Sequence, residues 1–170
     1  MPNYEEDTQY VRIISHIMDN DDFRQLDNIQ HHNNTRLNHS LKVSYYSYKI
    51  AKALRLDYKD VARAGLLHDF YLGQVNEQQS LKDRFLLFTT KHPNEALANS
   101  SKYFDLSDKE KDIIRTHMFP VDIKIPKYAE SWLVSLVDKF VSTKEFSYKV
   151  SHRLSWVNNL YILIVLRFMR

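Results

Sequence analysis

The sequence predicts an all-α protein, a single-domain helical bundle, on three observations. Apolar residues recur at helical spacing along nearly the whole chain, and alternating stretches such as Val121-Asp-Ile-Lys-Ile125 are short and followed by proline. Helix-capping residues also stand where the periodic segments begin.

Taken in order, Tyr4 to Met18 makes a first amphipathic helix with Tyr10, Ile13, Ile14 and Ile17 on one side. Asp19-Asn-Asp-Asp22 ends it, and a short helix is expected from Phe23 to Ile29 before the polar stretch His31 to Thr35. Thr35 is an N-cap for the next helix, which carries Leu37, Leu41, Tyr45, Tyr48 and Ala51 and is expected to end near Leu56. Asp57, with Asp60 three residues on, opens a helix through Val61, Ala64, Leu67 and His68. Gly73 to Thr90 is polar at first and apolar at Phe85-Leu-Leu-Phe88, which suggests a loop with a short helix inside, a candidate lid. Pro93 suits the first turn of a helix including Ala96, Leu97 and Tyr103, and Ser107 with Glu110 forms a capping box for the helix carrying Ile113, Ile114 and His117. Pro120 and Pro126 bracket a turn region. Lys127 to Phe146 then reads as a helix with Trp132, Leu133, Leu136, Val137 and Phe140 facing inward. No repeat or low-complexity tract divides the chain, so residues 1–170 are expected to form one domain, with a core over roughly 35–145 and a C-terminal helix over 147–170.

Composition narrows the chemistry. At 170 residues, 44% hydrophobic and 26% charged, the chain can bury a substantial core. Glycine occurs only twice, at Gly65 and Gly73, so no phosphate-binding loop or dinucleotide fingerprint can be written, and any bound phosphate must be held by metal or side chains. The absence of cysteine excludes disulfides, thiolate metal sites and a cysteine nucleophile. The acidic start, Met1-Pro2-Asn3-Tyr4-Glu5-Glu6-Asp7, does not resemble a secretory signal, and a cytoplasmic location is expected. Lys and Arg are scattered among Asp and Glu at a net charge of +3, which does not imply an obligate nucleic-acid partner. The longest strongly apolar run, Leu160 to Leu166, falls short of the roughly 20 residues a spanning helix needs, and reads as a core-closing terminal helix or a homodimer interface, with peripheral membrane contact as the alternative.

Against this background one ordered set stands out: His39, the pair His68-Asp69, His92, His117 and Asp138. Imidazole and carboxylate are ligands for borderline and hard divalent metals, and a spacing of about a helix plus a loop lets several helices each aim one ligand at a common centre. A carboxylate within Val134-Ser-Leu-Val-Asp138 is costly unless a cation neutralises it. The same holds for Leu66-Leu67-His68-Asp69, where Asp69 can bridge two metals through its two oxygens. Any one of these histidines alone carries little, and His16, His31, His32 and His152, which lack such context, read as surface or satisfied polar residues.

Through Arg36-Leu-Asn-His-Ser40, Gly65-Leu-Leu-His-Asp69, His92-Pro93, Arg115-Thr-His117 and Val137-Asp-Lys139 the chain resembles the HD superfamily of metal-dependent phosphohydrolases, over roughly Thr35 to Glu145. The resemblance implies a bundle of the HD-domain type in which His39, His68, Asp69 and Asp138 hold one metal while Asp69, His92 and His117 hold a second. The cofactor it implies is a pair of divalent ions, Fe or Mn first, with Mg, Zn, Co or Ni as alternatives. Within the superfamily the chain looks closest to small stand-alone bacterial HD proteins, and more distantly to the HD-type hydrolases of diadenosine tetraphosphate. It departs from those nucleotide hydrolases in having Phe70-Tyr-Leu-Gly-Gln74 where they carry a basic residue, and it lacks the Gly-Tyr-Pro signature of the cyclic dinucleotide phosphodiesterases.

The expected reaction is cleavage of a phosphate ester or anhydride in a phosphorylated small molecule or nucleotide, with a metal-activated hydroxide as nucleophile. Asp69 and Arg36 are expected to carry catalysis. Arg36 and Lys42, three residues either side of His39, and Lys139, beside Asp138, are expected to neutralise phosphoryl oxygens. Glu95, three residues after His92, is placed to orient that ligand. Tyr45, Tyr46, Tyr48, Phe70 and Tyr71 are candidates for stacking a base. Two other functions fit the same ligands: a di-iron oxygenase and a nucleotide-binding regulatory module with little turnover.

Overall fold

The structure is a computed structural model that describes residues 3–31, 34–73 and 91–147. The candidate lid from residue 74 to 90, His32, His152 and the predicted C-terminal helix beyond Ser147 lie outside the described residues, and the side chain of His31 is also undescribed.

Seven α-helices make up the described chain: α1 (Thr8–Met18), the single turn α2 (Asp21–Arg24), α3 (Arg36–Ala53), α4 (Tyr58–Leu67), α5 (His92–Tyr103), α6 (Asp108–Thr116) and α7 (129–147). The first predicted helix is broken, with Tyr4–Glu6 forming a 3-10 turn before Asp7 caps α1 through the Tyr10 amide at 3.1 Å. The predicted Phe23–Ile29 helix is instead α2 followed by a 3-10 turn at Gln25–Asn28. A two-residue antiparallel pair, Gln30–His31 with Asn34–Thr35, joins these to α3.

The caps lie where the sequence put them. Thr35 accepts from the Asn38 amide at 3.2 Å and Asp57 from the Asp60 amide at 3.4 Å. Ser107 and Glu110 form the reciprocal box at 3.0 and 2.8 Å. α3 stops earlier than expected, at Ala53, in a Schellman arrangement: the Leu56 amide bonds the Ala51 carbonyl at 2.9 Å and the Arg55 amide bonds the Lys52 carbonyl at 3.3 Å, with Arg55 at φ 58°.

Short connections make α3 with α4, and α5 with α6, two helical hairpins, so the start of each first helix lies beside the end of the second. The α3–α4 seam is lined by small residues: the Ser44 hydroxyl donates to the Ala62 carbonyl at 2.6 Å and accepts from the buried Tyr10 hydroxyl at 2.8 Å. α1 closes over this seam through Tyr10, Ile14 and Ile17, while Phe23, Leu26, Leu66, Leu67, Ile113 and Ile114 complete the core.

α7 corrects one expectation. Val137 is buried, but Trp132, Leu136 and Phe140 are exposed at 40, 66 and 66%, and Leu133 is only partly covered. The inward face carries Ser131, Val134, Ser135, Asp138, Val141 and Glu145 instead. Its polar members have partners across the bundle: Ser131 donates to Asp112 at 2.7 Å, and Ser135 to the His117 and Phe119 carbonyls at 2.8 and 2.9 Å. A satisfied polar face can be buried in place of an apolar one, and hydrophobicity alone does not reveal which partners wait opposite.

Candidate metal centre

The two hairpins set the site. His39 lies in the first turn of α3, His68 and Asp69 follow the last turn of α4, His92 opens α5 and His117 follows α6, so all five residues sit at the same end of the bundle. α7 crosses this end and brings Asp138 to it. His39, Asp69, His92, His117 and Asp138 line one cavity of about 240 Å³ together with Tyr71, Met118, Val121, Lys139 and Ser142, and His68 stands fully buried behind them.

Two groups of buried donors result, His39–His68–Asp69 and Asp69–His92–His117, with the atoms in each within 4.8 Å of one another. Asp69 belongs to both: its Oδ2 lies 3.7 Å from His68 Nε2, and its Oδ1 lies 3.6 and 3.8 Å from the Nε2 atoms of His92 and His117. Asp138 joins the first group, with Oδ1 at 3.1 Å from His39 Nε2 and 3.6 Å from His68 Nε2.

The outer nitrogens decide what the inner ones can do. His68 Nδ1 donates to the Gly65 carbonyl at 2.8 Å and His117 Nδ1 to the Ile114 carbonyl at 2.8 Å. A carbonyl oxygen only accepts, so in the neutral rings each Nε2 is left with its lone pair pointing into the site. Among the described residues His68 Nε2 has no partner within hydrogen-bond distance, although it is buried and faces the carboxylates of Asp69 and Asp138 at 3.7 and 3.6 Å. His117 Nε2 faces His92 Nε2 at 2.9 Å, and burial together with the neighbouring His68 and His92 holds His117 down to about 3, so it is neutral at physiological pH. Buried imidazole nitrogens and carboxylates converging on one space are a donor set for cations, and these residues fit divalent metal.

His39 differs from His68 and His117 in having a carboxylate on each side, Asp138 at Nε2 and Glu145 at Nδ1 at 3.0 Å. Burial works against its charged form, but those two bonds prevail and push it up to about 10. Burial likewise opposes ionisation of the acids, yet the His39 bond and the adjoining His68 ring hold Asp138 well below the usual carboxylate range, and the bonds from His39 and Lys42 hold Glu145 at about 2.

The expected substrate cations divide. Lys139 lines the cavity, with its ammonium bonded to the His117 carbonyl and 3.3 Å from Asp138 Oδ2. Arg36 is buried and turned to the chain after Asp69: its guanidinium lies 3.6 Å from the centre of the Tyr71 ring and donates to the carbonyls of Tyr71 and, at 3.3 Å, Gly73. Lys42 donates to Glu145 at 2.6 Å. Neither Arg36 nor Lys42 lines the cavity. The Glu95 carboxylate lies beside Gly73. Among the aromatics, Tyr71 lines the site and lies tilted over His92 at 5.1 Å, Phe70 and Tyr48 are core residues, and Tyr45 packs on Tyr10 at 5.0 Å.

Glu145 escaped the sequence reading. Its signal was present, since it follows Asp138 by two helical turns and therefore shares its face, but a glutamate near the end of a helix is usually solvated. A larger cleft of about 680 Å³, between Thr8, Arg12, Lys59 and Arg63, contains no metal-ligating group beyond Asp60 and lies among surface side chains.

A family model described as HD domain matches residues 36–143, more than half of the chain. No curated protein and no solved structure matches it.

Proposed function

Because the chain belongs to the HD-domain family of metal-dependent phosphohydrolases, we propose that it hydrolyses a phosphate ester or anhydride of a nucleotide-type or other phosphorylated small molecule with two divalent ions, Fe or Mn first. The observation that carries this reading is the position of Asp69 between two buried histidine groups, one oxygen toward each. His39, His68, Asp69 and Asp138 would hold one ion, and Asp69, His92 and His117 the other. When bound, such a pair supplies an activated water and Lewis-acid stabilisation of the phosphoryl group.

The chain's own residues do the rest. Lys139 presents a cation at the cavity wall, where negative charge on a phosphoryl group grows during displacement. Tyr71 borders the same space; burial and then the Asp69 carboxylate push its phenol above its ordinary range, so it stays protonated and can donate a hydrogen bond to the substrate. Arg36 holds the backbone at Tyr71 and Gly73, and so positions Tyr71 rather than touching phosphate. A cavity of about 240 Å³ accommodates a phosphoryl group and its immediate attachment.

The test is metal analysis of the full chain purified without chelator, followed by a panel of nucleotides and phosphate esters with Mn(II) or Fe(II). Release of phosphate or nucleotide that Asp69→Ala abolishes is the expected result. Oxygen uptake with a small organic substrate, and no hydrolysis, would replace the reading with a di-iron oxygenase.

A further inference from the structure

The ligand histidines are not held alike. His68 and His117 each give their outer N–H to a neutral main-chain carbonyl three residues back, whereas His39 gives its own to the carboxylate of Glu145. Glu145 is 6% exposed and divides its oxygens, Oε2 to His39 at 3.0 Å and Oε1 to Lys42 at 2.6 Å. Lys42 stands one turn beyond His39 on α3, so a single helix face carries both the ligand and the cation that neutralises the carboxylate behind it. A buried carboxylate without such a cation would be strongly destabilising, which gives Lys42 a role at this site other than substrate binding.

Resting on the metal-centre reading above, we propose that Glu145, anchored by Lys42, is a positioning residue for His39. It fixes the ring with Nδ1 protonated and Nε2 aimed at the site, and makes that nitrogen a stronger donor than those of His68 and His117. A carboxylate behind an imidazole raises its ligand basicity more than a carbonyl does, and loss of such a partner typically weakens metal binding about 10–100-fold. The cation shared by His39, His68, Asp69 and Asp138 is therefore the one whose affinity depends on Glu145. The cation of His92 and His117 is not.

The experiment is titration of the full chain with Co(II), followed by visible absorption and by metal analysis after dialysis, for the natural chain, Glu145→Gln and Glu145→Asp. Gln keeps the size and an acceptor but loses the charge, while Asp keeps the charge. The expected result is two Co(II) per chain in the natural protein, one of them about 10–100-fold weaker in Glu145→Gln, and partial recovery in Glu145→Asp. Unchanged binding of both ions in Glu145→Gln overturns the proposal. So does equal weakening of both ions in both variants with a matching fall in melting temperature, which is the behaviour of a residue needed only for folding. Should the natural chain take up no Co(II), the metal-centre reading falls first and this one with it. A second measurement needs no variant: in the zinc-loaded natural chain the His39 ring is expected to carry its proton on Nδ1 by nitrogen NMR, and metal on Nδ1 would refute the assignment.

Discussion

The Cα of Ser44 on α3 lies 3.1 Å from where a Cβ on Gly65 of α4 would stand. That approach holds the α3–α4 hairpin close enough for His39 and His68, at its open end, to face each other at 5.5 Å. Ala at a helix interior gains about 1 kcal/mol over Gly in propensity, but overpacking against backbone costs about 1–3 kcal/mol. Gly65→Ala is therefore expected to lose about 1 kcal/mol in urea unfolding and to bind metal more weakly. A variant more stable than the natural chain would show that the seam yields.

Arg36 is expected to act through the chain it holds. Arg36→Met should lower stability by about 2–3 kcal/mol, because it leaves the Tyr71 and Gly73 carbonyls without their charged donor. Arg36→Lys should not rescue it, since an ammonium cannot span both carbonyls while stacking on Tyr71. Thermal melting without substrate measures both. A natural melting temperature with reduced turnover would instead return Arg36 to the substrate.

Lys139→Met is expected to reduce kcat/KM on a phosphorylated substrate by about 10²-fold while both metals remain bound, in line with loss of one preorganised charge at a developing anion. Steady-state kinetics beside metal analysis separates the two effects. Loss of metal in step with activity would assign Lys139 to the centre's architecture.

Metal binding should expel a proton. His39 is raised to about 10 from its ordinary 6.5, against burial, by its bonds to Asp138 and Glu145. These bonds stabilise the metal-free fold fully below pH 6.5, and that contribution is lost as pH climbs through the folded value near 10. A cation competes with the Nε2 proton, so affinity is expected to rise with pH across the neutral range, with about one proton released per chain. Calorimetry at pH 7.5 in two buffers of different ionisation enthalpy reads that proton directly, and identical apparent enthalpies would contradict it.

Arg55 sits at φ 58°, a conformation that costs a non-glycine residue about 1–2 kcal/mol, partly offset by the unfolded-state freedom of glycine. Arg55→Gly is expected to raise the melting temperature by about 2 °C with no change in metal content.

Much of this protein could be read locally. Thr35, Asp57 and the Ser107–Glu110 box announced where helices begin, because a cap involves residues only three apart. The spacing of His39, His68-Asp69, His92, His117 and Asp138 announced which helices bring imidazole and carboxylate to one place, because side-chain chemistry is a property of the residue itself. What the chain does with those pieces was decided by packing. The inward face of α7 follows from Ser131 and Ser135 finding acceptors on α6 and just beyond it, against the pull of Trp132, Leu136 and Phe140. Lys42 faces Glu145 rather than the cavity because the two meet across 103 positions of sequence, and His39 meets Glu145 across 106. Periodicity and capping are short-range and survive in a single sequence. The partner of a buried charge is chosen by whichever opposite group the tertiary fold brings within reach.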